Sequence, residues 1–406
     1  MSPSRKPSKF TCAVVLIAVL ASIGLYQVLM VATGAPATPT ETLTVPIIAT
    51  DTPSSGTAMP VLTDTPLVVT VTSVPGLEII PMYVGYGVRG SWFELYFTDS
   101  THPNASQETG GSDAPLVEAI NQARLSVDVA VYSLNLYSVR KALIDAHQRG
   151  VTVRVVIESD NMDTSAVDAI IEAGIPVLGD RRQGLMHNKF VVIDHSDVWL
   201  GSINFTYAGV YDDNNNMIRI HSIKIAENYT KEFEEMFVDD QFGPDDVPAT
   251  PNPVVTIDGV RVENYFSPDD HVASHIIQLL NGAEESIYFM AYAFTSDDFG
   301  RILIQKAAAG LTVKGVFDTE QYNASVNYCE YDLMRELGLD VHLDGNPGLM
   351  HHKVFIIDSK IVILGSYNFS ANAENTNDEN VIIIFNPDIA AQYLVEFQRV
   401  YAQANP

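Results

Sequence analysis

Two kinds of apolar pattern alternate along residues 77–402. Short, mainly apolar runs such as VDVAVY (127–132) and VTVRVVI (151–157) have the length and β-branched content of buried strands. Between them the chain takes helical spacing and ends near Gly150. This series then returns: residues 127–160 match residues 287–320, whose helix ends near Gly310. Further on, GLMHNKFVVIDHSDVWLGSINF (184–205) matches GLMHHKVFIIDSKIVILGSYNF (348–369), and the lead-in strands agree in ELYF (94–97) and ENYF (263–266). Strands alternating with helices predict α/β layering in each of two tandem, pseudo-symmetric halves, assigned to 77–242 and 262–402. The segment GPDDVPATPNP (243–253) opens a connector assigned to 243–261.

The N-terminal part follows neither pattern. Residues 1–9 are basic, and no charge interrupts Phe10 to Ala32. A run of about 20 apolar residues can span a bilayer as a helix, so 10–32 is read as a transmembrane signal anchor. The basic flank predicts a cytoplasmic N-terminus and an extracytoplasmic body. Small residues around Ala32 to Ala37 keep open a second course, signal cleavage and secretion. Residues 33–76, rich in Thr, Pro and Ser, read as an extended, disordered linker.

Charge narrows the partners. The chain of 406 residues carries a formal net charge of −27. Residues 1–76 hold three bases (Arg5, Lys6, Lys9) and three acids (Glu41, Asp51, Asp64), so the body contains 47 acids against 20 bases. Such a body repels polyanions and disfavours a broad nucleic-acid surface, but it leaves room for a small basic pocket. The two cysteines, Cys12 and Cys329, offer neither a disulfide framework nor a cysteine-rich metal site.

The candidate chemistry lies in the repeat. His187 and Lys189 are followed by Asp194, then Gly201, Ser202 and Asn204; His351 and Lys353 are followed at identical spacing by Asp358, Gly365, Ser366 and Asn368. On a strand, residues i and i+2 share a face, so each His projects with its Lys, and each Ser with its Asn. His352 faces the other way and is assigned no catalytic part. Folded face to face, the repeats would gather two His, two Lys, two Ser and two Asn, a set able to neutralise and hydrogen-bond a phosphodiester. A single HxK carries little information, whereas two copies with GSxN at one offset inside a long repeat make coincidence a poor account. Tyr132 and Tyr292, at matched positions, are assigned to core packing. Asp318 and Glu320 are expected either to line the cleft or to cap a strand.

HNKFVVID…GSIN and HHKVFIID…GSYN resemble the paired HKD motifs of the phospholipase D superfamily, over roughly residues 92–402. The resemblance implies two α/β/α sandwich halves around one shared cleft, and a phosphodiesterase working through a phosphohistidine without metal or other cofactor. It implies catalytic roles for the His187, Lys189, Asp194 and His351, Lys353, Asp358 sets, with the two aspartates as structural partners of the motif. His187 is expected to be the nucleophile and His351 the acid. Ser202, Asn204, Ser366 and Asn368 are expected to bind the substrate phosphate. Family members often carry a downstream acid that orients each His. Glu379, 11 residues after Asn368, is expected to serve His351 within its own half; the same offset from Asn204 reaches Asn215, an amide, with Asp212 and Asp213 nearby. A phospholipid, or another phosphodiester, is the expected substrate, the N-terminal helix is the expected membrane contact, and a chain that holds both motifs is expected to be a monomer. A nuclease of the same superfamily and a non-catalytic binding protein retaining the fold are the alternatives.

Overall fold

Side-chain alternation along the strands sorts the apolar residues into three cores. The computed structural model describes residues 76–182, 184–245 and 249–404. The basic segment, the apolar 10–32 run and the linker up to residue 75 lie outside them. Among the described residues no helix is long and apolar enough to cross a membrane.

The first half contributes β1 (Glu78–Ile80), β2 (Tyr86–Arg89), β3 (Phe93–Phe97), β4 (Ser126–Val131), β5 (Thr152–Ile157), β6 (Val177–Gly179), β7 (Lys189–Ile193), β8 (Asp197–Gly201) and β9 (Asn216–His221). They form one sheet in the order β1-β2-β3-β9-β8-β7-β4-β5-β6. The second half contributes β10 (Val254–Ile257), β11 (Val260–Ser267), β12 (Ser286–Ala291), β13 (Thr312–Phe317), β14 (Asp340–Leu343), β15 (Lys353–Ile357), β16 (Ile361–Gly365) and β17 (Glu379–Phe385), ordered β10-β11-β17-β16-β15-β12-β13-β14. The central strands correspond in register: Val131 pairs with Lys189 as Ala291 pairs with Lys353. The expected connector is shorter than assigned, because β10 and the start of β11 fall inside 243–261 and pair as a hairpin.

The longer helices are α1 (Asp113–Gln122), α2 (Tyr137–Gln148), α3 (Ser165–Glu172), α4 (Ile223–Phe237), α5 (Val272–Gly282), α6 (Asp297–Ala308) and α7 (Pro387–Gln403). On β7, Val191 and Ile193 face α1–α3 through Leu116, Ile120, Leu143 and Ile170. On β15, Phe355 and Ile357 face α5 and α6 through Ile276, Leu280, Ile302 and Leu303. The alternate residues, Phe190 and Val192 on β7 and Val354 and Ile356 on β15, enter a third core shared by the halves. Tyr229 and Phe233 of α4 and Tyr393 and Phe397 of α7 fill that core. Each sheet therefore lies between outer helices and one central helix, and the central layer joins the halves.

Both motifs reach the same end of this layer. There the halves are stitched by isolated bridges, Met186 with Asp378 and Asn214 with Met350. The His187 N–H donates to the Asp378 carbonyl at 3.0 Å, and the His351 N–H to that of Asn214 at 2.9 Å. The motif glycines make this convergence possible. A Cβ on Gly201 would lie 2.2 Å from the Asn216 carbonyl oxygen, and one on Gly365 would lie 2.1 Å from that of Asn380. Only glycine lets the turn after β8 or β16 pass so close to the neighbouring strand.

Candidate active site

His187 and His351 each precede the strand that carries their lysine, and both imidazoles are almost wholly buried. The residues that orient them come from the opposite half. His187 Nδ1 lies 2.7 Å from Glu379 Oε2 at the start of β17. His351 Nδ1 lies 3.0 Å from Asn215 Oδ1 and 3.0 Å from the Ser202 carbonyl oxygen. This corrects the expectation that Glu379 serves His351 within one half. The offset from the motif was right, but the strands cross the central layer before their side chains meet a histidine. Asp213 does not substitute for Asn215, because its carboxylate accepts the Leu349 N–H at 2.9 Å.

The crossing sets the tautomers. A backbone carbonyl only accepts, so His351 Nδ1 carries a hydrogen and Nε2 is left for chemistry. His187 likewise bonds the Ser366 carbonyl, and Glu379 accepts its Nδ1–H. Burial, then the ammonium groups of Lys189 and Lys353, hold His187 well below the ordinary imidazole value. Burial and the same two lysines act likewise on His351, with His187 adding to the effect. Burial lowers Lys189 to about 7 and Lys353 well below its usual value. Glu379 is pushed up to about 7, again by burial. Both lysines act on both histidines, and Glu379 acts on both lysines, which places two His, two Lys and one carboxylate in one site.

The lysine ammonium groups turn back onto their own histidines. Lys189 Nζ donates to the His187 carbonyl at 2.7 Å, and Lys353 Nζ to the His351 carbonyl at 2.8 Å. Tyr132 and Tyr292, assigned to the core from sequence, are half-buried walls of the site instead. Each follows the last residue of a strand, β4 or β12, that pairs with the lysine strand, so its ring is delivered to the motif rather than beneath the sheet. Their matched repeat positions were the available signal.

The serines differ from expectation. Ser202 Oγ donates to Asn215 Oδ1 at 2.7 Å and accepts from the Asn216 N–H at 3.1 Å. Ser366 Oγ accepts from the Asn380 N–H at 3.0 Å and bonds Glu379. Both serines are fully buried, and their hydroxyls hold the residues that orient the histidines, leaving nothing for a phosphate. Asn204 and Asn368 are half-buried, and their amide oxygens lack a partner among the described residues. An amide oxygen only accepts, so a bond from either residue to a phosphate oxygen would have to come from Nδ2.

Asp194 and Asp358 do not reach the site. Asp194 accepts the N–H groups of Arg124, Leu125 and Ser126, and Asp358 those of Glu284, Glu285 and Ser286. They pin the turn before β4 or β12 at the far end of the motif strand. This corrects a catalytic assignment and agrees with a structural one. Asp318 accepts the Met350 N–H at 2.8 Å and the Gln321 N–H at 2.6 Å, so it caps a short helix and clamps the approach to His351. Glu158 does the same before His187, accepting the Met186 N–H at 2.8 Å; sequence reasoning missed it.

Beneath the site, the residue after each motif His is buried in a polar network. Asn188 joins Asn380 at 2.8 Å and Glu232 at 3.1 Å. His352, at the matched position, joins Asn216 at 2.8 Å and Glu396 at 2.9 Å. Among the described residues no three His, Cys, Asp or Glu side chains form a metal-ligand group.

The chain is similar to known proteins. The family described as cardiolipin synthase, PLD-like domain, matches twice, at 116–237 and 276–401. A phospholipase D from Rickettsia conorii is 37% identical over 134 residues, 33% of this chain and 66% of that protein. The human mitochondrial cardiolipin hydrolase is 33% identical over 133 residues, 33% of this chain and 52% of that protein. The matched stretches thus span about half to two thirds of these relatives. The crystal structure of a phosphatidylserine synthase from Haemophilus influenzae superposes with a TM-score of 0.59 at 13% identity, over 81% of this chain and 87% of that one, a likeness of fold.

Proposed function

Because this chain belongs to the phospholipase D superfamily, through its twice-matched PLD-like domain, we propose that it is a phosphodiesterase acting on phospholipid. The observation that carries this reading is the crossed pairing of two buried histidines, one with a carboxylate and one with an amide. His187, its Nδ1–H held by Glu379, presents the Nε2 lone pair to phosphorus; the N–P bond forms as the P–O bond to the leaving alcohol breaks. The carboxylate stabilises the positive charge that develops on the attacking ring. His351, protonated at Nε2, gives that proton to the leaving oxygen, then takes one from water as the N–P bond is hydrolysed. Lacking a carboxylate, it is the weaker base and the better acid. Lys189, Lys353, Asn204 and Asn368 stabilise the non-bridging oxygens. Two ammonium groups, the His351 imidazolium and one carboxylate leave a formal charge of +2, which attracts the single negative charge of a diester.

A cavity of 430 Å³ supports a lipid over a nucleic acid. Asp212, Asp213, Glu320, Asn346 and Leu349 are among its lining residues. Leu349 in its wall lies two residues before His351, on the side from which the leaving alcohol would depart. An acidic recess there accepts a cationic or zwitterionic head group and repels a polyanion. The apolar 10–32 segment, read as an anchor, would keep such an enzyme at a membrane. The test is a substrate panel in EDTA: phosphatidylcholine vesicles, single-stranded DNA and double-stranded DNA. Release of the head group is expected; cleavage of DNA alone would replace this reading with the nuclease.

The pKa directions add a pH prediction. An ordinary lysine would sustain phosphate binding to about pH 10. With Lys189 near 7 and Lys353 also depressed, kcat/KM on bis(p-nitrophenyl) phosphate should start to fall near pH 7 as pH rises. It should also fall in acid, as the Glu379–His187 pair gains a proton. A profile flat to pH 9 would contradict a lowered Lys189.

A further inference from the structure

Neither active-site lysine has a carboxylate within ion-pair distance among the described residues, although each ammonium is fully buried. Each has one protein hydrogen bond, to the carbonyl of its own histidine. What else faces it is an aromatic ring. Lys353 Nζ stands 4.6 Å from the centroid of Tyr292, and Lys189 Nζ 5.3 Å from that of Tyr132. The same rings meet the histidines edge to face, Tyr292 with His351 at 4.7 Å and 67°, and Tyr132 with His187 at 5.1 Å and 66°. One tyrosine in each half thus touches both the cation and the imidazole of its motif. We propose that Tyr292 and Tyr132 are positioning residues that act through their ring faces, keeping Lys353 and Lys189 charged and aligned before a phosphodiester arrives. This goes beyond the reading of the site as a phosphodiesterase, on which it rests only for its effect on turnover.

The physical case is that a buried ammonium loses its water and tends to lose its proton. A ring face returns part of that stabilisation, more so where water is excluded. Other charges bear on the same groups. Lys353 is opposed by Lys189 and supported by Glu379, Asp318 and Asp213; Lys189 is supported by Glu379. Among the described residues none of these acids lies within ion-pair distance of either lysine, whereas each ammonium stands over a ring face. The tyrosine hydroxyls are not required, so phenylalanine should serve and leucine should not.

The test reads lysine protonation directly. In full-length protein carrying ¹³C-labelled lysine, the Cε resonances of Lys189 and Lys353 are titrated in the wild type and in Tyr292→Phe, Tyr292→Leu and Tyr132→Leu. Tyr292→Leu should lower the Lys353 midpoint by about one pH unit, the scale of a desolvated cation–π contact, and move Lys189 less. Tyr132→Leu should do the reverse, and Tyr292→Phe should keep the wild-type midpoint. In parallel, the alkaline limb of kcat/KM should shift down with the Leu variants and be restored in Phe. Equal midpoints in Tyr292→Leu and Tyr292→Phe would overturn the proposal. So would an equal shift of both lysines by either Leu variant, the mark of general loosening. The titration needs no turnover, so it stands or falls apart from the proposed activity.

Discussion

His351→Ala should accumulate a phosphoryl group on His187 when mixed with bis(p-nitrophenyl) phosphate, whereas His187→Ala should take up none and lose turnover by on the order of 10⁴-fold or more. The asymmetry follows from the crossed partners. Glu379 supports charge on the attacking ring of His187, and p-nitrophenolate leaves without needing the proton of His351. The second step does need a base on the opposite side, and without His351 the phosphohistidine persists. Rapid quenching followed by peptide mass spectrometry measures both outcomes. Label on His351 in the His187→Ala chain would reverse the two roles.

Glu396→Gln should lower stability by about 3–5 kcal/mol, because it leaves a buried guanidinium with only the looser Asp99 carboxylate, at 3.5 Å, as counter-charge. Glu396 is fully buried on α7, with Arg399 at 2.6 Å and 2.8 Å, His352 at 2.9 Å and the Tyr86 hydroxyl at 3.0 Å. Although burial opposes it, Arg399 and His352 lower its carboxyl to about 2. The folded value lies below the unfolded one of about 4.3, so the stabilisation is present above pH 4.3 and is lost as pH falls towards 2. A shift of about two units corresponds to roughly 3 kcal/mol, in line with the expected cost of the substitution. Urea unfolding at pH 7 and pH 3 would measure it. The deficit of Glu396→Gln against wild type should shrink in acid; an equal deficit at both pH values would show that lost packing, not charge, is responsible.

The two networks beneath the site also show why its parts could be named from sequence more easily than paired. Asn216 and Asn380 occupy matched positions, and each reaches across to the residue after the other half's histidine. Asn188 in one copy and His352 in the other signalled that the copies had diverged. Which acid supports that divergence, Glu232 or Glu396, lay on helices about 44 residues downstream. Nothing in local spacing links them.

The sequence by itself determined the duplicated α/β body, the two motifs and their lysines, and the glycines before each serine. These are local properties. Strand alternation fixes which side chains share a face, and repetition at constant offset marks what the two copies must keep. Only the tertiary structure decided that Glu379 serves His187 and Asn215 serves His351, that the serines orient residues instead of binding phosphate, that Asp194 and Asp358 lie at the far end of their strands, and that two tyrosines form walls of the site. Each of those depends on how strands from opposite halves cross in the central core. That crossing is set by packing between residues far apart in the chain, and no period along the sequence records it.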